Sequence, residues 1–345
     1  MGAAEWWGKI NNAARLINDI VDNVVKRRQT IICTSGTPFP EKLSVIAQDE
    51  ICRQDSENSL TVLDDSLPDK PVVDLMWERC PEDVTGTYFP KKGSTRTSFI
   101  CGCDQFSLND STVWVRGISD ERLPEWISFV RDYGAGCREF HHAAFVLETN
   151  SPQSHQGKMK NVTFYSASDY ITDYDLNVYY MLQASEISSC SPMMSQYIAE
   201  LVTTLCGSDP YTAESMLSHK KEIAERPLEL YEECGGAPLT RAELQSRLWK
   251  AQMRVLFPVI EECRCRIVNN YLDKLEKAMP FTTAYGVRIN EPFELDIGNI
   301  LSMHGSGSIM LNSRDKELLS DLKPIRDDLA HMKPAAYDVI ESMLG

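Results

Sequence analysis

The stretch TIICTSGTPFPEKL, residues 30–43, decides the class of the N-terminal fold. It begins with a β-branched, apolar run, which is typical of a buried strand. GTPFP, residues 36–40, then predicts a loop, because glycine and proline interrupt regular structure. Before this stretch, residues 10–25 carry apolar side chains at helical spacing and charged ones on the opposite face. A helix, a buried strand and a loop are therefore predicted in succession.

Further strands are predicted at SLTVLDD, STVWVRGIS, FHHAAFVLET and NVTFYSA, residues 59–65, 111–119, 140–149 and 161–167. A helix is predicted between the second and third of these, at residues 123–133. Strands that alternate with helices predict an α/β layer with a mostly parallel sheet. From residue 171 onward the strand signals disappear. The predicted fold class is an α/β N-terminal domain followed by an all-α C-terminal helical bundle.

The length of 345 residues predicts two or three domains. We expect an α/β domain at 1–168, a lid-like helical extension at 169–236 and a helical bundle at 237–345. The last boundary falls at GGAPL, after which Thr240 and Glu243 have the spacing of a capping box at the start of a long helix.

Charge is distributed unevenly along the chain. The net charge of −15 argues against a protein that coats nucleic acid through bulk electrostatics. From Pro238 onward the chain has 14 Lys and Arg and 15 Asp and Glu, whereas the preceding part has 21 Lys and Arg and 35 Asp and Glu. The acidic N-terminal part is therefore expected to bind a protein partner. If any part meets a polyanion such as RNA, it is the C-terminal third.

The composition also predicts the compartment. No apolar run reaches the roughly 20 residues that a membrane-spanning helix needs, so no membrane contact is expected. The N-terminus lacks the basic and then apolar pattern of a secretory signal. Eleven cysteines, an odd number, indicate free thiols in a reducing environment. We expect a cytoplasmic protein.

The loop after the first strand is where a phosphate-binding turn would lie. A P-loop needs a glycine-rich turn followed by Lys and Ser or Thr. GTPFPEKL has one glycine and two prolines, which remove N–H donors, and Lys42 lacks the usual neighbours. The later strand ends in Arg116 and Gly117, where a magnesium-binding acid would be expected. We therefore predict no cofactor and no ATP hydrolysis.

The order of these elements resembles a degenerate P-loop core of the AAA or STAND type without Walker motifs. That resemblance implies a helical lid and an effector-like tail after the α/β layer. The alternative is an α/β domain that never bound a nucleotide.

Cysteine and histidine residues occur close together in two segments, CGCD (101–104) and CREFHH (137–142). Cys101, Cys103, Cys137 and His141 would provide enough ligands for tetrahedral zinc. No paired Cys-x-x-Cys module is present, however, and buried cysteines often act as small apolar residues. No metal is therefore predicted, and a zinc-bearing regulator stays a weak alternative.

LKPIRDDLAHMKP, residues 322–334, contains the candidate catalytic residues Arg326, Asp327 and His331. Pro324 is expected to begin a short helix. RNA cleavage without a metal requires proton transfer at a 2′-hydroxyl, which His performs near neutral pH. Arg326 can bind the scissile phosphate through two hydrogen bonds, and Asp327 can orient Arg326 and His331.

RDDLAH, residues 326–331, within an all-helical tail resembles the motif of HEPN-superfamily ribonucleases. The resemblance covers roughly residues 240–345. It implies a metal-independent endoribonuclease, a homodimer through 237–345 with the site between protomers, and a role in bacterial antiviral defence or stress response, with the N-terminal domain sensing or docking a partner.

The main alternative is a non-catalytic adaptor. Its tail would serve for dimerisation and its acidic N-terminal part would bind a basic protein. In that case Arg326 is expected to pair with Glu261 or Glu262, and His331 to be buried.

Overall fold

The computed structural model describes residues 2–65, 69–91, 93–136, 141–151, 162–186, 190–219 and 222–345. The chain divides into two compact units, Met1–Tyr179 and Tyr180–Gly345. The first holds a five-stranded sheet with helices and the second is largely helical, so the predicted fold class is confirmed. The predicted three-part division stays a prediction. None of the described helices is both long enough and apolar enough to cross a bilayer.

All five strands of the first unit are parallel. Their order in the sheet is β2-β3-β4-β1-β5. β1, β3 and β4 are almost wholly buried, because a parallel sheet has helices on both faces. The strands are β1 (Gln29–Cys33), β2 (Ser59–Asp64), β3 (Ser111–Arg116), β4 (Ala144–Thr149) and β5 (Val162–Ser166).

The helices of the first unit cover both faces of this sheet. One face packs through Ile31, Val113 and Phe145 against α7, in a core that also contains Cys80 and Cys103. Since side chains alternate along a strand, Ile32 and its neighbours face the other way. The helices are α1 (Ala3–Lys9), α2 (Asn11–Val25), α3 (Leu43–Gln54), α4 (Val72–Trp77), α5 (Glu82–Thr85), α6 (Arg96–Cys101), α7 (Leu123–Gly136) and α8 (Asp173–Ala184), which contains the division between the units.

The second unit is built around the long helix α13, which packs against α9 and α16. Thr240 caps α13 together with Glu243, as predicted. A two-stranded hairpin, absent from the sequence-based prediction, interrupts the helices. The elements are α9 (Pro192–Cys206), α10 (Pro210–Ser218), α11 (Glu222–Glu225), α12 (Pro227–Glu233), α13 (Arg241–Asn270), α14 (Leu272–Lys277), β6 (Phe281–Thr282), β7 (Arg288–Ile289), α15 (Ile297–Gly305), α16 (Ser313–Ala330) and α17 (Tyr337–Leu344).

The prediction that Pro324 begins a helix is wrong. Pro324 lies inside α16, which starts at Ser313 and is capped by the side chain of Asn312. A proline inside a helix removes one hydrogen bond, to the carbonyl four residues earlier. The cap and the buried face of α16, which includes Leu319 and Leu322, offset this loss.

Gln252 of α13 fixes the segment that leads into α17. Its Oε1 accepts the backbone N–H of Ala335 at 2.6 Å, and its Nε2 donates to the carbonyl oxygen of Ala335 at 3.0 Å. The side chain is 1% exposed. One buried amide therefore satisfies both polar groups of Ala335 and holds the start of α17 against α13.

Replacing Gln252 by Leu is expected to lower the free energy of unfolding by roughly 1–3 kcal/mol, because the polar groups of Ala335 lose their partners. Thermal denaturation followed by circular dichroism would measure this as a Tm several degrees lower. Gln245→Leu, at an exposed position of α13, is the control and should leave the Tm nearly unchanged. Equal Tm values for the two variants would contradict this role of Gln252.

Candidate functional site

The loop between β1 and α3 lies at the carboxyl edge of the parallel sheet, where ligand sites of α/β proteins form. Lys42 follows Gly36 at the spacing of a P-loop lysine. Glu41 and Leu43, however, occupy the positions of the second glycine and the Ser or Thr. Gly36 has φ +80°, and the Lys42 side chain is exposed.

One aromatic residue of this loop is anchored in the protein interior. Phe39 is buried, has φ +52° and packs edge-on against Tyr179, with 6.4 Å between ring centroids. Its carbonyl oxygen accepts the indole N–H of Trp7 at 3.2 Å. Pro38 and Pro40, on either side, have no N–H to offer. The loop therefore contains a buried aromatic side chain and offers few backbone N–H groups to a ligand.

Arg116 lies at the end of β3, where a magnesium-binding acid would be expected in a P-loop protein. Its guanidinium donates to Oδ1 of Asp64 at the end of β2, at 2.9 and 3.1 Å. Next to this pair, Arg122 and Asp65 form a buried ion pair at 2.8 Å. The carboxylates at the ends of these strands are therefore bound to arginines.

Sequence reasoning missed Glu148, an acid inside the apolar strand β4. Its Oε2 accepts the indole N–H of Trp114 on the adjacent strand β3 at 2.6 Å. Burial raises the pKa of the Glu148 carboxyl above its ordinary value of 4.5, although the Trp114 hydrogen bond and the charge of Arg116 act to lower it. The only sequence signal was an acid in an otherwise apolar strand.

Glu148 should make the protein less stable as pH rises. Between pH 4.5 and the raised pKa, the folded state binds more protons than the unfolded state, so the free energy of unfolding falls with pH. Gln at this position keeps an acceptor for Trp114 but has no charge. We expect Glu148→Gln to gain stability relative to wild type as pH rises through this window, measured by urea denaturation at several pH values.

Glu57→Gln, at an exposed loop position, is the matched control and should follow the wild-type pH dependence. Parallel curves for wild type and Glu148→Gln would contradict the argument.

The cysteines considered as zinc ligands lie in different environments. Cys101 ends α6, whereas Cys103 is buried in the core beside Cys80. Burial, and then the neighbouring Cys103, raise the pKa of the Cys80 thiol to about 12. The raised pKa disfavours the thiolate form that a metal binds, although Cys80 is not one of the four proposed ligands.

His141, the imidazole of the proposed zinc set, is exposed and has its Nδ1 3.0 Å from Oδ1 of Asp110. Cys137 lies outside the described residues. Within the part of the chain that the structure describes, no group of three or more His, Cys, Asp or Glu is placed to hold a metal ion. The four-residue zinc set therefore stays an untested alternative.

Arg326 and Asp327 lie together near the end of α16. Nη1 of Arg326 is 3.4 Å from Oδ1 of Asp327, and Nζ of Lys323 is 2.7 Å from Oδ2 of the same carboxylate. Lys323 first, and then Arg326, lower the pKa of Asp327. Asp327 is thus an ionised acceptor shared by two cations within one turn of the helix.

His331 follows as the C-cap residue of α16, with an exposed side chain. Its backbone N–H bonds to Asp327, but its ring forms no hydrogen bond within the described ranges. The expectation of a buried His331 in the adaptor interpretation is wrong, because the residue follows the last helical turn.

The expected pairing of Arg326 with Glu261 or Glu262 is also wrong. Glu261 pairs instead with Arg264, three residues later on α13, at 2.7 Å. Nε of Arg326 is buried and has no hydrogen-bond partner in the described part of the chain.

Comparisons with known proteins establish no family. No family model matches the chain, and no curated protein does. One similar solved structure is the ORC2 protein of Aeropyrum pernix in ADPNP–ADP complexes, at 11% identity and a TM-score of 0.35. The match covers 93% of this chain and 94% of that one. A TM-score this low is insufficient to show a shared fold.

Proposed function

We propose that this protein is a non-catalytic adaptor that binds a protein partner. The observation that carries the proposal is the placement of Asp327, which accepts from both Lys323 and Arg326. Because Asp327 already draws Arg326 and Lys323 within a single helical turn, Arg326 is poorly placed to bind a phosphate. The motif then serves mainly to stabilise the end of α16.

The α/β unit supports the adaptor interpretation. A strand, a loop with Gly36 and Lys42, and a helix follow one another as in a P-loop, which agrees with a degenerate AAA or STAND-type core. Phe39 in that loop is buried and packs against Tyr179. We therefore assign the unit to docking, without a cofactor, and its acidic composition favours a basic partner.

The cellular context is part of the proposal. A bacterial antiviral defence or stress-response role and a homodimer through 237–345 rest on the HEPN resemblance alone. A cytoplasmic location is supported by the ten described cysteines, all of which are free thiols.

A metal-independent endoribonuclease is the second candidate, with Arg326, Asp327 and His331 as its catalytic residues. The unpaired Nε of Arg326 and the exposed His331 favour it. On RNA the imidazole would take the 2′-hydroxyl proton and the guanidinium would stabilise the phosphate charge. This requires Arg326 to leave Asp327.

RNA cleavage in EDTA separates the two candidates. The adaptor proposal predicts no cleavage by wild type, His331→Ala or Arg326→Ala. Arg326→Ala should also lose roughly 0.5–1 kcal/mol of stability through its pair with Asp327, whereas His331→Ala should change stability by less than about 0.5 kcal/mol. Gel assays on structured and single-stranded RNA, with thermal melts of each variant, would measure both effects.

Arg314→Ala, an exposed arginine in the first turn of the same helix, is the control for the loss of one positive charge. EDTA-resistant cleavage that disappears in both motif variants, while Arg314→Ala stays active and all three remain folded, would overturn the adaptor proposal in favour of the ribonuclease.

A further inference from the structure

An open groove lies within the second unit, between α16 and α17, with α13 at its base. Its volume is about 860 Å³. The segment that Gln252 holds through Ala335 forms one end of it. We call it the α16–α17 groove. It is lined by residues of these three helices and of the segment that joins α16 to α17.

The floor of the α16–α17 groove is apolar and incompletely covered. Val259, Leu318, Ile325, Val339 and Met343 are all half-buried. Each helix thus contributes an aliphatic side chain that faces its neighbours on one side and the open groove on the other. Covering these side chains would remove apolar surface from water, which favours an occupant with an apolar face of its own.

The rim of the groove is acidic. Asp321, Asp328 and Asp338 line it and are exposed, whereas no Lys, Arg or His is among the lining residues. Asp328 lies 3.7 Å from the exposed Lys333. Asp321 and Asp338 form no ion pair in the described ranges, which leaves two carboxylates available to a cationic ligand.

The carboxylates also have a regular spacing. Asp321 and Asp328 are seven residues apart on α16, which places them on one side of the helix about 10 Å apart along its axis. Leu318, Leu322 and Ile325 follow the i, i+4, i+7 pattern of a helix-packing stripe. A third helix laid along α16 and α17 matches both features, since its own side chains repeat with the same period.

We propose that the α16–α17 groove binds one amphipathic helix of a basic protein partner. The partner helix would place apolar side chains at i, i+3 or i+4 and i+7 on the groove floor. Lys or Arg residues about two turns apart would face Asp321 and Asp328, and a further cation on the other flank would face Asp338. This inference rests on the proposed adaptor function and adds a second binding surface, on the helical unit, for the same kind of basic partner.

The same rim disfavours other occupants. A nucleic acid would bring phosphates beside three carboxylates, which repel them. A second copy seated groove to groove would place like charges opposite one another, which is costly at an interface. The groove therefore favours a cationic, helical partner over RNA or self-association.

The test measures binding of a fluorescein-labelled peptide to the full-length protein by anisotropy. The probe is a 16-residue Ala- and Leu-based helix with leucines at positions 5, 9 and 12, lysines at 1 and 8 on one flank of this stripe, and a lysine at 13 on the other flank. Its twin has Glu in place of each Lys. We expect the lysine peptide to bind, the glutamate peptide to bind at least about tenfold more weakly, and added salt to weaken the lysine complex.

Charge-neutralised variants locate the binding site. Asp321→Asn/Asp338→Asn is expected to weaken the lysine peptide by about tenfold, from the loss of two surface ion pairs. Asp273→Asn/Glu276→Gln, two exposed carboxylates of α14 outside the groove lining, has the same net charge and should bind as wild type does. All substitutions are at the surface, so each variant should remain folded.

Several outcomes would overturn the inference. These are equal binding of the two peptides, equal loss in both double variants, or no binding of either peptide up to millimolar concentration. A homodimer in sedimentation analysis that only Asp321→Asn/Asp338→Asn dissociates would assign the groove to a second copy instead.

The EDTA cleavage assay on the same preparations separates this inference from the proposed function. A groove that binds no peptide in a protein that also cleaves no RNA refutes the groove assignment and leaves the adaptor proposal in place. Cleavage of RNA that depends on Arg326 and His331 refutes the adaptor proposal even where the peptide binds.

Discussion

The architecture of the first unit depends on burying both faces of an all-parallel sheet. Each parallel connection must cross over a face of the sheet, so its helices are imposed by the strand pairing itself. This arrangement places the loops after β1 and β3 at one edge, where a ligand would bind in a functional α/β site. Here Phe39 of the first loop is buried, and Arg116 and Arg122 pair with the nearby carboxylates of Asp64 and Asp65.

In the C-terminal motif RDDLAH, residues 326–331, the carboxylate of Asp327 changes the function that the sequence pattern predicts. Arg326 and His331 have the residue types that metal-free RNA cleavage needs. Asp327, however, lies between Arg326 and Lys323 and accepts from both. Lys323 is adjacent to the motif in sequence, yet the i, i+4 relation to Asp327 emerges only if the helix continues through Pro324, which the proline argues against.

Local sequence patterns predicted most of the secondary structure because β-branched runs and helix caps act over a few residues. Strands β1, β3 and β4 and the capping box at Thr240 are examples. Features that depend on distant contacts were not predictable. Glu148 acquires its raised pKa from burial in the sheet beside Trp114. The α16–α17 groove combines α13 with helices more than forty residues later in the chain.

The C-terminal third has a net charge close to zero, which suggested a surface that could bind a polyanion. The local ion pairs, however, decide which charges on that surface remain available to a ligand. Arg254, Arg264 and Lys323 of this unit are each paired with a carboxylate. Asp321 and Asp338 keep their charges unpaired in the described ranges, beside apolar side chains. A balanced total can thus conceal an acidic groove, because a charge that is already paired contributes little to the field that a partner meets. The unpaired carboxylates therefore determine the sign of the ligand that this face attracts.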